Sequence, residues 1–429
     1  MPQPPSPSTV PSSPRGAGDP GAGPGARPDR STDRSTGRRW SAGTHGDGRC
    51  ARHRVAAILA ASALVSASAA VAGPVASALP AGSSVAPAGS SVAVGSGGMV
   101  VAGSGPTAPA NPADPAAPAA DPVAALPTTF DLQAHRGGRG EHTEESREAF
   151  TTALAGGVTT LELDVVMSAD GVPVVWHDPA LTAEKCRDTA PATPGDPQFP
   201  YVGRDIHDLT WDQIGTVRCD LPLDGFPEQT PAVDNRVLQL ADVAAIAATD
   251  PRVHLNIETK IEADEPSRSA PPEEFVDAIL GVARAAGVTD RIMVQSFDWR
   301  TLPLVRAAEP GVPLVALWDA TTWVPGSPWL GGVDPEAVGG DVIAGAQAVG
   351  ANVLSPGAAA PTPWIPAGPD GLRQFTDRAH AAGLRVVPWT VNTVEDMEAQ
   401  LDGGVDGIIT DYPTRLRGIL DARGIAYRA

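Results

Sequence analysis

Residues 161–178 read L-E-L-D-V-V-M-S-A-D-G-V-P-V-V-W-H-D, and this stretch decides the fold. Two apolar runs, Thr160–Met167 and Val172–His177, are separated only by S-A-D-G. A parallel crossover needs a dozen or more residues, so the two runs are expected to form an antiparallel hairpin. Folding about that turn sets Glu162 opposite His177, to within one residue of register. Glu162 and Asp164 are two apart and share one face of their strand, while Leu161, Leu163 and Val165 take the other. Two carboxylates in a partly buried site repel, and each costs several kcal/mol to desolvate unless a cation neutralises it.

Outward from the hairpin, short apolar runs alternate with amphipathic stretches. Strands are expected at Leu132–His135, Val253–Glu258, Arg291–Ser296, Pro313–Leu317, Ala351–Leu354, Arg385–Trp389 and Gly407–Thr410. Between them lie patterns with apolar residues three and four apart, such as E-E-S-R-E-A-F-T-T-A-L, P-E-E-F-V-D-A-I-L-G-V-A-R-A-A-G and G-L-R-Q-F-T-D-R-A-H-A-A-G. The last two end in glycine, as helices commonly do. Strand and helix alternating over about 300 residues predict a parallel sheet closed into a (β/α)8 (TIM) barrel. Residues 179–232, rich in Pro, Asp and Gly, break the alternation. A loop of that length is expected to be an inserted cap over one barrel mouth.

Before residue 128 the composition changes. Much of the excess of Gly (46) and Pro (45) sits there. Residues 1–54 show no hydrophobic periodicity and are expected to be a disordered leader. Arg52, His53 and Arg54 precede the uncharged run V-A-A-I-L-A-A-S-A-L-V-S-A-S-A-A-V-A, and small-x-small sites follow at Ala70-Val71-Ala72 and Ala76-Ser77-Ala78. Residues 55–78 therefore read as a secretory signal and its cleavage site, and the long leader suggests a start of translation inside the sequence. The run falls short of the ~20 strongly apolar residues a stable membrane span wants, so no span is expected after cleavage. Residues 79–127 read as a flexible Ala/Pro/Gly-rich tail and 128–429 as the barrel domain. The protein is thus expected to be exported, secreted or held at the cell wall.

The leader's nine arginines and four aspartates mask the charge of the rest, which carries 22 basic and 46 acidic groups for a net charge of −24. Such a surface repels nucleic acid, which is excluded as a partner, and suits divalent cations. Cys186 and Cys219 both lie in the inserted segment, and in an exported domain they are expected to form a disulfide. The third cysteine, Cys50, lies before the signal.

Strand C-termini face the catalytic mouth of a barrel. There the sequence puts His135 and Arg136, Glu162 and Asp164, His177, Glu258 and Lys260, Gln295 and Ser296, Trp389 and Asn392, and Asp411. Glu162 and Asp164, with Glu258 as a third carboxylate, form an oxygen-donor set suited to a hard divalent ion, the alternative being pairing with Arg136 or Lys260 alone. His135 and His177 end separate strands and can act as an acid and base pair. Arg136 and Lys260 add charge suited to a phosphate oxyanion. Asp178 is expected to orient His177 or loop backbone, and Asp411 to support the closing loop. Trp318, Trp323, Trp329 and Trp364 read better as space filling between barrel and loops than as pocket walls, whereas Trp389 is placed in the wall.

The blocks A-H-R-G-G-R-G, E-S-R-E-A-F, E-L-D-V-V-M-S-A-D-G-V-P-V-V-W-H-D, N-I-E-T-K, V-Q-S-F, P-W-T-V-N and D-G-I-I-T-D-Y-P, in this order over residues 130 to 417, resemble the glycerophosphodiester phosphodiesterase family. The resemblance implies a phospholipase C-like phosphodiesterase barrel with Ca2+ or Mg2+ held by Glu162, Asp164 and Glu258. It implies acid–base roles for His135 and His177, and phosphate contacts from Arg136 and Lys260. The implied reaction cleaves glycerophosphodiesters to glycerol 3-phosphate and an alcohol, with the substrate's glycerol hydroxyl as first nucleophile. One departure is visible: the family usually reads E-N-T where this chain has Glu145-Ser146-Arg147, which puts the hydrogen bonds of that Asn in question. Two other readings stay open, a phospholipase D-like lipid hydrolase on the same barrel and a non-catalytic module that binds phosphate compounds or cell-wall polymer.

Overall fold

The computed structural model describes residues 121–358, 365–366 and 369–428. The leader, the signal-type stretch, most of the tail, Cys50 and Trp364 lie outside the described residues.

Ten strands are assigned among the described residues: β1 (Asp131–Ala134), β2 (Thr160–Met167), β3 (Pro173–Val175), β4 (Leu238–Gln239), β5 (His254–Thr259), β6 (Ile292–Ser296), β7 (Leu314–Trp318), β8 (Val353–Pro356), β9 (Arg385–Val386) and β10 (Gly407–Thr410). Eight of them pair in the order β10-β1-β2-β5-β6-β7-β8-β9, each pair parallel. Backbone bonds from Asp406 N to Val386 O (2.9 Å) and from Ile409 N to Pro388 O (3.0 Å) join the two ends. The sheet is therefore a closed eight-stranded α/β barrel, as the alternation predicts.

The hairpin forms as expected. β2 and β3 are antiparallel, with Val165 opposite Val175 and Met167 opposite Pro173. Continuing that register puts Trp176 across from Asp164, and Trp176 N donates to Asp164 O at 3.1 Å. His177 thus lies one residue from the position that faces Glu162, within the stated tolerance. The expected strand Val172–His177 is shorter, ending at Val175, and pairs on its far side with β4, which periodicity did not flag because it is two residues long. Arg385–Trp389 likewise shortens to β9, where Pro388 has no N–H to give a ladder.

Around the barrel run α1 (Arg147–Gly156), α3 (Leu240–Ala247), α4 (Pro272–Ala286), α5 (Thr301–Ala308), α6 (Val342–Ala348), α7 (Pro369–Ala381), α8 (Val394–Asp402) and α9 (Pro413–Arg423), with the short α2 (Trp211–Ile214) in the insertion. Leu161, Leu163 and Val165 face outward into the main core with Phe150, Phe275, Trp299, Trp318 and Trp323. Burying each such side chain contributes roughly 1.5–3 kcal/mol. Trp318 and Trp323 are accordingly core residues, as expected. Ser146 caps α1 by accepting from Ala149 N at 3.0 Å. A helix-capping oxygen is therefore present where the family motif has Asn.

The barrel interior is divided. One side is apolar, with Met293, Val315, Val353, Val387 and Ile409 closed off by Leu126. Leu126 is buried and Arg385 Nη1 donates to Pro127 O at 2.5 Å, so the packed domain begins a few residues before 128. The other side is a stack of buried amides described below. The inserted segment has its own small core of Leu181, Tyr201, Ile206, Leu209, Ile214 and Val217, seated on Val166, Val174 and Trp176 of the hairpin. Cys186 and Cys219 are disulfide-bonded inside it, 33 residues apart.

Candidate active site

At the C-terminal rim of the strands lies a cleft of ≈ 260 Å³ lined by His135, Arg136, Glu162, His177, Glu258, Lys260 and Trp389, among others. Asp164, almost fully buried, lies beneath Arg136. The structure therefore gathers the sequence-expected mouth residues around one space, while the disulfide sits in the cap core.

β2 and β5 pair so that Glu162 is level with Asn256 and Asp164 with Glu258. This register brings oxygens of Glu162, Asp164 and Glu258 to within 4.8 Å of one another. Glu162 is held at both oxygens, by Arg136 N–H (2.9 Å) and by the Gln295 amide (2.7 Å). Neither oxygen of Asp164 accepts a hydrogen bond among the described residues, though Arg136 Nε lies 2.9 Å away. Lys260 donates to Glu258 at 2.9 Å and lies 4.0 Å from Asp164.

Burial, with repulsion from Asp164 and Glu258, raises the Glu162 carboxyl well above its ordinary range. Burial pushes Glu258 up to about 7, with Lys260 opposing and Asp164 reinforcing. Burial alone would raise Asp164 too, but Arg136, His177 and Lys260 overcome it and hold that carboxyl far below its usual value. Three buried carboxylates with this imbalance cannot all ionise unless a further cation joins them. The donor set is all oxygen, and Asp164 meets Arg136 and Lys260 only as ion pairs, with no hydrogen bond accepted at either oxygen among the described residues. The set therefore fits a hard divalent ion.

The local backbone explains how Arg136 gets there. The turn after β1 is left-handed at Arg136 (φ 52°) and Gly137 (φ 79°). A Cβ at Gly137 would lie 2.9 Å from Ala149 Cβ, so glycine lets α1 pack against the turn. A left-handed non-glycine costs about 1–3 kcal/mol, and the return is visible: it aims Arg136 N–H at Glu162 and the guanidinium at Asp164. Burial opposes the guanidinium charge, but Asp164, Glu144, Glu145 and Glu162 outweigh it and raise its pKa.

Each histidine is fastened by a carboxylate at Nδ1. His135 Nδ1 lies 2.5 Å from Asp411 Oδ1, and His177 Nδ1 lies 2.9 Å from Asp178 Oδ1. Hydrogen bonds to the partner histidine and, for Asp178, to Lys185 hold both aspartates below their usual range despite burial. As ionised acceptors they require Nδ1–H, which leaves each Nε2 as the other ring nitrogen. Burial and the cations Lys260 and Arg136 push His177 down to about 4, and burial with Arg136 lowers His135 against the pull of Asp411. Asp411 is in turn held by Asn392 Nδ2 at 2.7 Å, so its part exceeds support of a loop. Asp178 orients His177 and ties to the cap through Lys185 Nζ at 2.6 Å.

Several participants take their part only from the fold. Glu144 bridges Arg139 (2.7 Å) and Lys185 (2.6 Å), linking the turn after β1 to the cap. Glu145 is buried and left-handed, its Oε1 accepting from Asp164 N–H at 3.3 Å. It therefore lies under the carboxylate cluster and is not a surface charge at the start of α1. Gln295, a mouth residue to which the sequence gives no role, ends a buried relay: Gln133 donates to Asp131 (2.8 Å), and Asn256 donates to both Gln133 and Gln295 (2.9 Å each). A carboxylate at each end sets the direction of the amides. Trp389, as expected, lines the cleft, its indole fixed by Ser355 O at 3.0 Å.

The model of the glycerophosphoryl diester phosphodiesterase family matches residues 135–415 of this chain. A human protein named lysophospholipase D is 27% identical over 311 residues, covering 69% of this chain and 87% of that protein. A glycerophosphodiester phosphodiesterase of Bacillus altitudinis is 26% identical over 282 residues, covering 66% of this chain and 94% of its own. Among solved structures, a Silicibacter pomeroyi protein named for the same family superposes with a TM-score of 0.58 at 29% identity, covering 70% of this chain and 96% of that one.

Proposed function

This chain belongs to the glycerophosphoryl diester phosphodiesterase family, and from that premise we propose that it is an exported, divalent-metal-dependent hydrolase that releases glycerol 3-phosphate from glycerophosphodiesters by acid–base catalysis at His135 and His177. The observation that carries the reading is the pair of histidines on one cleft, each oriented by its own carboxylate, beside three carboxylates whose oxygens lie within 4.8 Å of one another.

Glu162, Asp164 and Glu258 would hold Ca2+ or Mg2+, which when bound supplies Lewis-acid polarisation of a phosphate oxygen. The chain's own groups do the rest. Arg136 and Lys260 line the cleft and bind the phosphodiester oxyanion. One histidine, with Nδ1–H held by its aspartate, takes the proton of the attacking hydroxyl at Nε2, and the other returns a proton to the departing alkoxide. If the glycerol hydroxyl attacks first, a cyclic phosphate forms and the same pair reverses roles to open it with water. Trp389 and Phe297 form an aromatic wall beside the reacting phosphate.

Export is supported by the signal-type run at residues 55–78 and by the disulfide between Cys186 and Cys219. No helix among the described residues is long and apolar enough to cross a membrane. A lipid hydrolase is favoured less than one acting on small diesters. The large apolar side chains exposed among the described residues are four scattered valines, and the mouth aromatics Phe297, Trp329 and Trp389 are half-buried. The test is purified protein incubated with glycerophosphocholine and with a lysophospholipid, in Ca2+, Mg2+ or chelator. Glycerol 3-phosphate should appear from the first substrate only with metal and vanish in His135→Ala and His177→Ala. Faster turnover of the lysophospholipid would favour the lipid hydrolase instead.

A further inference from the structure

A second recess, of ≈ 200 Å³, opens beside the cleft and shares Glu258, Lys260 and Phe297 with it. Three aromatic rings lead from one space to the other. Phe297 meets Trp389 edge-on at 5.3 Å between ring centres and Trp329 edge-on at 6.4 Å. Trp329 is held in place: its indole N–H donates to Asp264 Oδ2 at 2.8 Å and its carbonyl accepts from Trp299 N at 2.7 Å. This departs from the sequence expectation of a space filler, since Trp329 is half-buried and forms recess wall.

The polar lining beyond Lys260 is acidic. Glu262 and Asp319 face the recess. The Glu262 carboxylate makes no hydrogen bond or ion pair among the described residues. Asp319 Oδ1 is taken by its own loop, through Thr321 N (2.8 Å), Thr321 Oγ1 (2.6 Å) and Thr322 N (3.1 Å), while Oδ2 accepts nothing among the described residues. Among the described residues Lys260 is the one basic residue lining the recess, and it is directed to Glu258 at 2.9 Å. The recess therefore offers π-faces and uncompensated negative charge next to the place where a phosphate would sit. Aromatic rings and carboxylates together favour a desolvated organic cation over a neutral polyol or an anion.

We propose that this recess is the subsite for the alcohol half of the substrate and that it takes a cationic amino alcohol, so that phosphodiesters of ammonium-bearing alcohols are preferred over neutral ones. The proposal rests on the phosphodiesterase reading. Lys260 marks the boundary, its ammonium on the phosphate side and Glu262, Asp319 and Trp329 on the alcohol side. Selectivity arises from binding, because the ammonium group does not change during bond cleavage and contributes equally to ground and transition state.

The test compares kcat/KM for glycerophosphocholine and glycerophosphoethanolamine with that for glycerophosphoglycerol, in wild type and in Glu262→Gln, Asp319→Asn and Trp329→Ala. The ammonium substrates should be favoured about tenfold or more, chiefly through KM, as one or two cation contacts provide. Each variant should remove a factor of about 3–10 of that preference, and a cooperative thermal unfolding transition like that of wild type shows that the variant is folded. Equal kcat/KM for charged and neutral substrates in wild type would overturn the proposal, as would a preference that survives Glu262→Gln combined with Trp329→Ala. If no diester is hydrolysed, the phosphodiesterase reading fails by itself. The recess is then decided by calorimetric titration with choline: wild type should bind it and Glu262→Gln should bind at least fivefold more weakly, and equal binding would overturn the subsite.

Discussion

Replacing Asp411 by Asn should disable His135 through its tautomer, with little effect on folding. Asp411 Oδ1 faces His135 Nδ1 at 2.5 Å and Oδ2 accepts from Asn392 Nδ2 at 2.7 Å. Asn392 cannot turn over, because its Oδ1 accepts from Asp411 N (3.0 Å) and from the Thr410 hydroxyl (3.3 Å). In Asp411→Asn the new carbonyl must therefore face Asn392 and the new NH2 must face the imidazole. Nδ1 becomes an acceptor and the neutral ring carries its proton on Nε2, the nitrogen needed as a base. If His135 acts as the acid instead, the imidazolium loses its carboxylate and meets a donor. Either way kcat should fall by about 10²–10⁴, or roughly 3–5 kcal/mol of barrier, the upper end being that of the equivalent change in a Ser-His-Asp triad. Asp411→Ala, which leaves the ring free to choose its tautomer, should lose less than Asp411→Asn. The assay is release of glycerol 3-phosphate from glycerophosphocholine at saturating metal, with thermal unfolding and metal-induced stabilisation as controls. An Asp411→Asn enzyme within threefold of wild type, or one less impaired than Asp411→Ala, would refute the reasoning.

Three further outcomes follow from the same geometry. Ca2+ or Mg2+ at a hundredfold its dissociation constant should stabilise the protein by about 2.7 kcal/mol, read as a melting-point rise that chelator reverses and Asp164→Asn abolishes; an identical melting point with and without chelator would count against the carboxylate trio as a metal site. Because His177 titrates near 4 in the fold but at its ordinary 6.5 when unfolded, the unfolded chain takes up a proton that the folded chain refuses, and stability is lost as pH falls from 6.5 toward 4. With 31% of that side chain exposed the loss is about 1–2 kcal/mol, and urea titrations at pH 7 and pH 4.5 should show His177→Gln losing less than wild type over this window. Opening the Cys186–Cys219 bridge, which spans 33 residues, should cost about 3–4 kcal/mol of cap stability by loop entropy; hydrogen exchange in Cys186→Ala/Cys219→Ala should speed up across residues 181–217 and leave β5 to β8 protected.

Much of the site was legible because barrel geometry converts strand ends into a list. Once S-A-D-G is too short for a crossover, the hairpin and the placement of Glu162, Asp164 and His177 on one rim follow from chain length and side-chain alternation. The same rule exposes His135, Glu258 and Lys260. Residues whose part depends on side chains reaching across the barrel were not legible. Gln295 and Asn256 look like ordinary polar intrusions in apolar strands until the register shows that they form a relay to Glu162. Glu145 opens a helix and fits a helix-start charge as well as a site role, and only its left-handed backbone shows that it turns under Asp164. Trp329 sits in a loop-rich stretch with two other tryptophans, and nothing local separates it from the buried Trp318 and Trp323.

The amino-acid sequence by itself determined the closed α/β barrel, the antiparallel first hairpin, the cap with its two cysteines and the identity of the mouth residues, because these depend on periodicity, connection length and strand direction. Only the tertiary structure decided which aspartate serves which histidine, that oxygens of three carboxylates lie within 4.8 Å of one another, and that a recess of acidic and aromatic character adjoins the cleft. Those properties belong to distances between residues up to 276 positions apart along the chain, such as His135 and Asp411. Local pattern carries no information about such pairs until the barrel has closed.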